Sequence, residues 1–422
     1  MSCKLTKVIC VVLVFTICTM MCSCKNAKHL NESVDVTLNE YTTESNSLIS
    51  EDSNDNVDID KNSDIEDDIG WMFPKVDKEL FTESEKSSIE DKALSICESI
   101  WPLYKGVIID KEALSFTSGI TNFSDDMRIN AYKALGKTGV VAVTEDEDMI
   151  NGSSIERFYN EYKDGKESTV TIYEVEKDGL ISTKTFLYRD GGLQIYYVGI
   201  KPRDGKSVIS GRMLKDIVSV KLTDRGGFLY MDKIPVEHAA IGYYYRIKPL
   251  SRECRKLTKE YLTYLDFQKY NLMVTDWKKD NVEKILMPGM FEDFYYIKYG
   301  EIYRGRSDSV PANEFEEIML TFLPVTITQL RNAYSYDKQN KTYSQGPADP
   351  IPYPPYLEVT DYTYNSNGTI TLYTDAVWPD YNSDCAFTNV IEIKPFDDGT
   401  FRILSNEVEE KELKLPRVAY SE

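Results

Sequence analysis

Residues 168–200, with the sequence STVTIYEVEKDGLISTKTFLYRDGGLQIYYVGI, decide the fold of this chain. Apolar and polar side chains alternate along three runs, which Asp178-Gly179 and Asp190-Gly191 separate. Because Asp-Gly readily supplies the positive φ angles of a tight hairpin turn, this stretch predicts an antiparallel meander. The predicted strands of the meander are Ser168 to Glu176, Leu180 to Tyr188, Leu193 to Ile200, Ile217 to Leu222 and Phe228 to Ile234.

Helices are predicted before the meander, where apolar residues recur every three or four positions. Each predicted helix begins at a residue that can cap its first turn, and the second and third end at a glycine. The first predicted helix starts at Ser88, which has capping-box spacing to Asp91. The second runs from Ser124 to Gly136. The third runs from Ser153, which has capping-box spacing to Glu156, to Gly165.

The second half of the chain repeats this order of helices followed by strands. Helices are predicted from Ser251, from Pro311 to Pro324 and from Thr326, and strands at Leu357 to Tyr364, Thr369 to Trp378, Phe387 to Lys394 and Phe401 to Val408. Residues 271–310 show no clear period, and the proline-rich stretch 347–355 predicts an extended connector.

The element order therefore predicts an α+β fold with two domains, 71–249 and 250–422, each with helices followed by an antiparallel meander. This order resembles the cystatin-like and nuclear-transport-factor-like folds, in which a helix packs into a curved antiparallel sheet. Pro311 to Arg331 and Leu357 to Asn406 also resemble an uncharacterised family of lipid-anchored proteins from clostridial Gram-positive bacteria. That resemblance implies a compartment and an architecture, and it implies no activity.

The N-terminus predicts export and lipid attachment. Residues 8–21 are mostly apolar, follow two lysines and are too short to span a bilayer, which is typical of a signal peptide. Cys24 follows Ser23 and lies three residues after Met21, an arrangement that resembles a bacterial lipoprotein signal. We therefore predict a signal peptide at 1–23 and a membrane anchor at lipidated Cys24. A plain cleaved signal and an uncleaved anchor are the alternatives.

Half of the net charge of −20 lies in the short stretch that follows the signal. Residues 25–70 contain 13 acidic residues and 3 lysines, which predicts a disordered, extended tether. The acidic balance of the chain argues against a nucleic-acid partner, since phosphate binding requires clustered Lys and Arg.

No motif predicts a nucleotide, a cofactor or a metal. Gly136-Lys-Thr138 and Gly205-Lys-Ser207 lack the earlier glycine that a phosphate-binding loop requires. His238 is the single histidine after the tether. Cys97, Cys254 and Cys385 have no metal-binding spacing, and the sequence leaves open whether two of them form a disulfide. The helical stripes on which Cys97 and Cys254 lie predict that both are buried.

Tyrosine is abundant, with 30 residues in the chain. Tyrosine combines an apolar ring with a hydrogen-bonding tip, which suits both interfaces and half-buried sheet faces. The candidate ligand surface consists of Tyr243, Tyr244, Tyr245, Tyr295, Tyr299 and Tyr303.

These features favour a non-enzymatic binding or scaffolding module at the cell envelope, whose partner is an envelope protein or a wall polymer. One alternative is an enzyme with a site of tyrosines and carboxylates in the cone of a nuclear-transport-factor-like domain. Another is the solute-binding lipoprotein of a transporter, although the predicted antiparallel sheets argue against it.

Overall fold

A computed structural model describes residues 76, 78–110, 117–145, 147–203, 205–233, 242–265, 272–346 and 355–410. The described part has an α+β fold, as predicted, with helices packed on antiparallel sheets. Several sequence predictions lie outside the described residues: the signal peptide 1–23, Cys24, the tether up to residue 70, His238 and most of the connector 347–355. Residues from Pro74 onward cluster as one unit, and the division at residues 249 and 250 stays a prediction.

The described part of the first half contains three α-helices: α1 (Glu83–Glu98), α2 (Asp125–Lys137) and α3 (Ser153–Lys163). The predicted start of α1 at Ser88 is wrong by five residues. Thr82 caps the helix instead: its Oγ1 accepts the Glu85 N–H at 3.2 Å, and Glu85 Oε2 accepts the Thr82 N–H at 2.8 Å. This reciprocal pair is a complete capping box, so Ser88 becomes an exposed interior position of the helix.

The meander is confirmed as part of a seven-stranded sheet, in which each strand pairs with the next along the chain. The strands are β1 (Val141–Thr144), β2 (Ser168–Val175), β3 (Ile181–Arg189), β4 (Gly192–Arg203), β5 (Lys206–Leu222), β6 (Gly227–Asp232) and β7 (Gly242–Arg246). β1 pairs with β2 in parallel, and the later pairs are antiparallel. The prediction began β5 at Ile217, eleven residues late, because its pairing register shifts near Ser210 and Val218 and interrupts the alternation.

This sheet curls, so that β6 folds over β3. The ring of Phe186 lies 5.5 Å from that of Phe228 and 5.0 Å from that of Tyr230, although strands β3 and β6 are not neighbours in the sheet. Helix α3 packs its buried Ile155 and Phe158 in the same cluster, and α1 and α2 cover the opposite face. The first half is therefore a curved sheet with apolar clusters on both faces.

The second half contains helices α4 (Arg252–Tyr261), α5 (Met290–Tyr299), α6 (Ala312–Phe322) and α7 (Ile327–Ala333). Its strands are β8 (Trp277–Lys278), β9 (Val310–Pro311), β10 (Ser335–Asp337), β11 (Thr342–Ser344), β12 (Tyr356–Tyr364), β13 (Ile370–Val377), β14 (Phe387–Pro395) and β15 (Phe401–Glu410). β12 to β15 form the predicted meander, which β8 extends beyond β15, and β10, β11 and β9 form a small separate sheet. The described part of 271–310 thus contains β8, α5 and β9.

Stacked rings fill the core of the second half. Phe322 on α6 stacks on Phe294 at 4.9 Å and meets the edge of Phe401 at 5.3 Å. Cys97 and Cys254 are buried in their respective cores, as predicted, and no disulfide joins any two of Cys97, Cys254 and Cys385 in the described part of the chain.

The two halves contact one another closely. A Cβ atom on Gly242, in β7, would lie 2.0 Å from the carbonyl oxygen of Pro379, so only glycine fits at this contact. Ion pairs join Arg225 to Asp375 and Arg246 to Glu358 across the same junction.

Candidate functional site

A cleft of about 940 Å³ lies between the two halves. Its first wall comes from the loop after β1, the end of β2, and β7. Its second wall comes from α4 with the residues that follow it, α5 and the start of β12. The charged and aromatic lining residues are Glu145, Glu147, Asp148, Glu174, Glu176, Lys177, Tyr244, Tyr245, Arg246, Arg255, Lys259, Tyr264, Asp293, Tyr296, Tyr356 and Glu358.

The parallel pairing of β1 with β2 positions the first wall. Thr144 and Val175 are partners at the ends of these strands, so the two chains leave the sheet side by side. Residues 145–148 follow β1, and Glu176 with Lys177 follow β2. Val175 belongs to the cluster under α1 and α2, so strand alternation places Glu174 and Glu176 on the opposite face.

Glu174 belongs to a partly buried hydrogen-bonded trio. Tyr245 OH donates to Glu174 Oε2 at 2.7 Å and accepts from Lys184 Nζ at 2.6 Å, and Lys184 also forms an ion pair with Glu174. Burial raises the pKa of Tyr245 well above its usual range, so this hydroxyl keeps its proton. The trio joins β2, β3 and β7, which holds the first wall in a fixed shape.

Glu176 lies beside the trio and has a weaker set of partners. It accepts a hydrogen bond from Ser182 Oγ at 2.8 Å, and it makes no ion pair among the described residues. Burial raises its pKa above the usual value, and the neighbouring charge of Glu174 adds to the effect. Glu176 is thus a half-buried carboxylate with no ion pair of its own among the described residues. Lys184, which pairs with Glu174, opposes the rise in its pKa only in part.

Ion pairs hold the loop after β1 in place, either to α4 across the cleft or to the segment after β2 beside it. Arg255 of α4 lies 2.9 Å from Asp148 and 3.8 Å from Glu147, and Lys177 lies 2.7 Å from Glu145. Burial also raises the pKa of Asp148, although Arg255 opposes this shift. Arg255 therefore connects α4 of the second half to the loop after β1.

The junction of β7 and β12 closes one end of the cleft. Glu358 Oε2 accepts hydrogen bonds from Arg246 Nε at 2.9 Å and from Tyr244 OH at 3.1 Å. The Tyr244 ring meets Tyr356 edge-on at 6.3 Å. Thr258, which also lines the cleft, accepts the Val359 N–H at its Oγ1 at 2.9 Å, and this bond fixes β12 to α4.

Three tyrosines of the second wall that line the cleft are partly exposed, Tyr356 at 43% being one of them. Tyr264 and Tyr296 are 45% and 37% exposed, and their rings meet at 5.3 Å and 62°. Asp293 lines the cleft one helical turn before Tyr296, so one face of α5 supplies both a ring and a carboxylate. The predicted ligand surface omits Tyr264, Tyr296 and Tyr356. The abundance of tyrosine in the stretch that forms α5 was the one sequence signal for this wall of the cleft.

The six predicted tyrosines lie in three different places in the structure. Tyr244 and Tyr245 line the cleft. Tyr243 stacks on Tyr230 at 4.6 Å and donates to Asp232 at 3.2 Å. The other three form a separate ring cluster at α5, where Tyr295 lies 4.7 Å from Tyr299 and 5.1 Å from Tyr303. The role of these residues as a ligand surface stays a prediction.

Charge in the cleft is unevenly balanced. Among the described lining residues, seven carboxylates face four cationic side chains, an excess of three negative charges. The described residues contain no cluster of three or more metal-binding side chains. The arrangement can offer carboxylate acceptors and exposed ring faces to a ligand, and Glu176 can exchange a proton at a pH above that of an ordinary glutamate.

The fold and the cleft define an α+β protein with a groove between its halves that charged and tyrosine side chains line. The chain belongs to a family of unknown function, DUF6070, whose model matches residues 86–422. No curated protein and no solved structure shows significant similarity to the chain. In the part of the chain that the structure describes, no helix is long and apolar enough to cross a membrane.

Proposed function

We propose that this protein is a ligand-binding module of the bacterial cell envelope, held at the outer face of the membrane by lipid on Cys24. The stretch 25–70 would act as an acidic tether, and the cleft between the two halves would hold the ligand. The signal-like residues around Cys24 support the anchor, since a small residue directly before the cysteine favours cleavage and lipid transfer at that position.

The observation that carries the binding role is the construction of the cleft. Its volume of about 940 Å³ is in the range of sites for small organic ligands. Its polar groups are held in place before any ligand arrives, because the trio of Glu174, Lys184 and Tyr245 and the pairs of Arg246 and Arg255 fix them. A site organised in advance loses less conformational entropy when it binds.

The test is photo-cross-linking in living cells of the native host. A benzophenone amino acid at Tyr296 would face the cleft, whereas the same amino acid at Tyr299, which is 48% exposed on the same helix, would lie outside it. We expect a discrete cross-linked species from position 296 and a weaker or different one from position 299. Equal cross-linking from both positions, or none from 296, would contradict the cleft as the binding site.

One observation favours a second candidate, an enzyme that uses Glu176 as a general acid. A carboxyl group with a raised pKa in a cleft, near a protonated tyrosine, is a suitable proton donor. The two candidates differ in the fate of the ligand. If the ligand that the cross-link identifies is then incubated as the free compound with the unmodified protein and is recovered chemically unchanged, the enzyme is excluded.

A further inference from the structure

We infer that the cleft selects short peptide-like ligands carrying a primary ammonium group, and that this group lies against Glu176. The inference rests on the proposed function, because it names the class of ligand that the same cleft would take. Three observations support it: the charge balance at Glu176, the exposed rings on the opposite wall, and an unused donor on Arg255.

The charge balance distinguishes Glu176 from its neighbours. The carboxylates Glu145, Asp148 and Glu358 each face a cationic side chain of the cleft, and Glu174 faces Lys184. Glu176 has the Ser182 hydroxyl and no ion pair among the described residues. Lys184 also acts on Glu176 at a distance, but its ion pair is with Glu174. A ligand ammonium would supply a direct ion-pair partner in a partly dehydrated position, where such a pair is stronger than at the surface.

The rings on the second wall suit the same chemistry and are independent of the carboxylates. An ammonium group or the alkyl chain that carries it can lie on the face of an exposed tyrosine. Tyr264 and Tyr296 retain 45% and 37% of their surface exposed while lining the cavity, so their faces are accessible to a ligand.

Arg255 points to a ligand that also carries a carbonyl oxygen. Its Nε is buried and has no hydrogen-bond partner among the described residues, although its Nη1 pairs with Asp148. A small rotation of the guanidinium would let Nε donate to a ligand carbonyl without breaking an existing bond at that atom. A peptide that bears a lysine side chain provides both the ammonium and the carbonyl.

The experiment measures binding of two matched peptides to the full lipidated chain in detergent by isothermal titration calorimetry. The peptides are N-acetyl-Gly-Lys-Gly-amide and the same peptide with an acetylated lysine, which differ in the one charge. We expect the lysine peptide to bind about tenfold more tightly or better, as the loss of a charge-assisted hydrogen bond predicts. The preference should shrink at high salt and as the pH falls through the raised pKa of Glu176.

Three variants locate the ammonium. Glu176→Gln should remove most of the preference for the lysine peptide, and Tyr296→Leu should weaken binding about threefold, the size of an exposed cation–π contact. Glu407→Gln is the control, because Glu407 is exposed on β15 and does not line the cleft. Circular dichroism melting of each variant shows that it is folded.

Equal affinity for the two peptides, an unchanged preference in Glu176→Gln, or no binding of the lysine peptide at millimolar concentration would overturn the inference. The cross-linking test separates this failure from failure of the proposed function. A cross-link from position 296 together with a negative titration means that the cleft binds another class of ligand. Failure of both means that the cleft is not a binding site.

Discussion

The interiors of the two halves are built differently. The concave side of the first sheet mixes rings with charge: Lys184 meets Glu174 and Tyr245, and Lys215 meets Asp232 at 2.6 Å. The core of the second half is a stack of phenylalanine rings around Phe322. A ring stack contributes stability through buried area, whereas an ion pair mainly fixes geometry because its formation costs desolvation. The charged groups of the first half therefore shape the cleft, and the packed core of the second half supports its other wall.

The largest effect is expected from the apolar core. Phe322→Ala should lower the free energy of unfolding by about 3–5 kcal/mol, because it removes a buried ring from between Phe294 and Phe401. Urea unfolding followed by tyrosine and tryptophan fluorescence measures it. Phe322→Leu, which keeps most of the volume, should cost less than half as much. A loss below about 1.5 kcal/mol in the alanine variant would break the comparison.

The charged interior should respond in a different way. Lys184→Met should destabilise the protein by about 2 kcal/mol, below the range for a fully buried pair because Glu174 retains 21% of its side-chain exposure. The reason is the uncompensated charge left on Glu174. The double variant Lys184→Met/Glu174→Gln should therefore recover at least half of the loss, measured by the same urea unfolding. Additive losses would show that the two side chains act independently and would contradict this explanation.

A smaller effect is expected at the surface of the first half, where Arg189 of β3 ties down α1. Hydrogen bonding from Arg189 holds the pKa of Glu85 at about 2. A depressed pKa contributes stability that is present above the unfolded pKa and is lost as the pH falls toward 2. Glu85→Gln should lose less than about 1 kcal/mol at pH 7, because the pair is partly exposed, and nothing near pH 2. Chemical unfolding across this pH range measures the difference, and a loss that persists at pH 2 would contradict it.

The smallest effect should have the opposite sign. Burial raises the pKa of Glu176 in the folded protein, and the charge of Glu174 adds to this effect. The ionised carboxylate therefore opposes folding once the pH rises above 4.5, the pKa of Glu176 in the unfolded chain. Glu176→Gln should therefore stabilise the protein at pH 7, on the order of 0.5 kcal/mol. The gain should vanish below pH 4.5. Thermal unfolding at both pH values checks it, and destabilisation at pH 7 would mean that Glu176 has a partner in the fold.

Local chemistry explains which elements could be predicted. Alternation and Asp-Gly turns predicted β2, β3 and β4 closely, because both signals lie within a few residues. β1 was missed because four residues are too few to show a period. Helix α5 was not predicted, because aromatic rings occur around most of its circumference and leave no single apolar stripe. Its ends were signalled by Gly289 and Gly300, which flank the helix and have positive φ angles.

The cleft could not be predicted in the same way, because its residues come from separate stretches of the chain. The hydroxyl of Tyr245 bonds to Glu174, 71 residues earlier, and that of Tyr244 bonds to Glu358, 114 residues later. No periodicity within a strand indicates such partners. The tyrosines of β7 were predicted as a ligand surface because of their aromatic rings. In the structure their hydroxyl groups form hydrogen bonds with carboxylates of other strands.

The parallel pairing of β1 with β2 has a consequence for how this protein can diversify. The chain segments that follow the two strands, Glu145–Asp148 and Glu176–Lys177, carry five of the charged lining residues and bear little of the sheet pairing. Substitutions there can change the charge of the cleft while the meander from β3 to β7 keeps its register. The same fold can thus carry clefts of different charge.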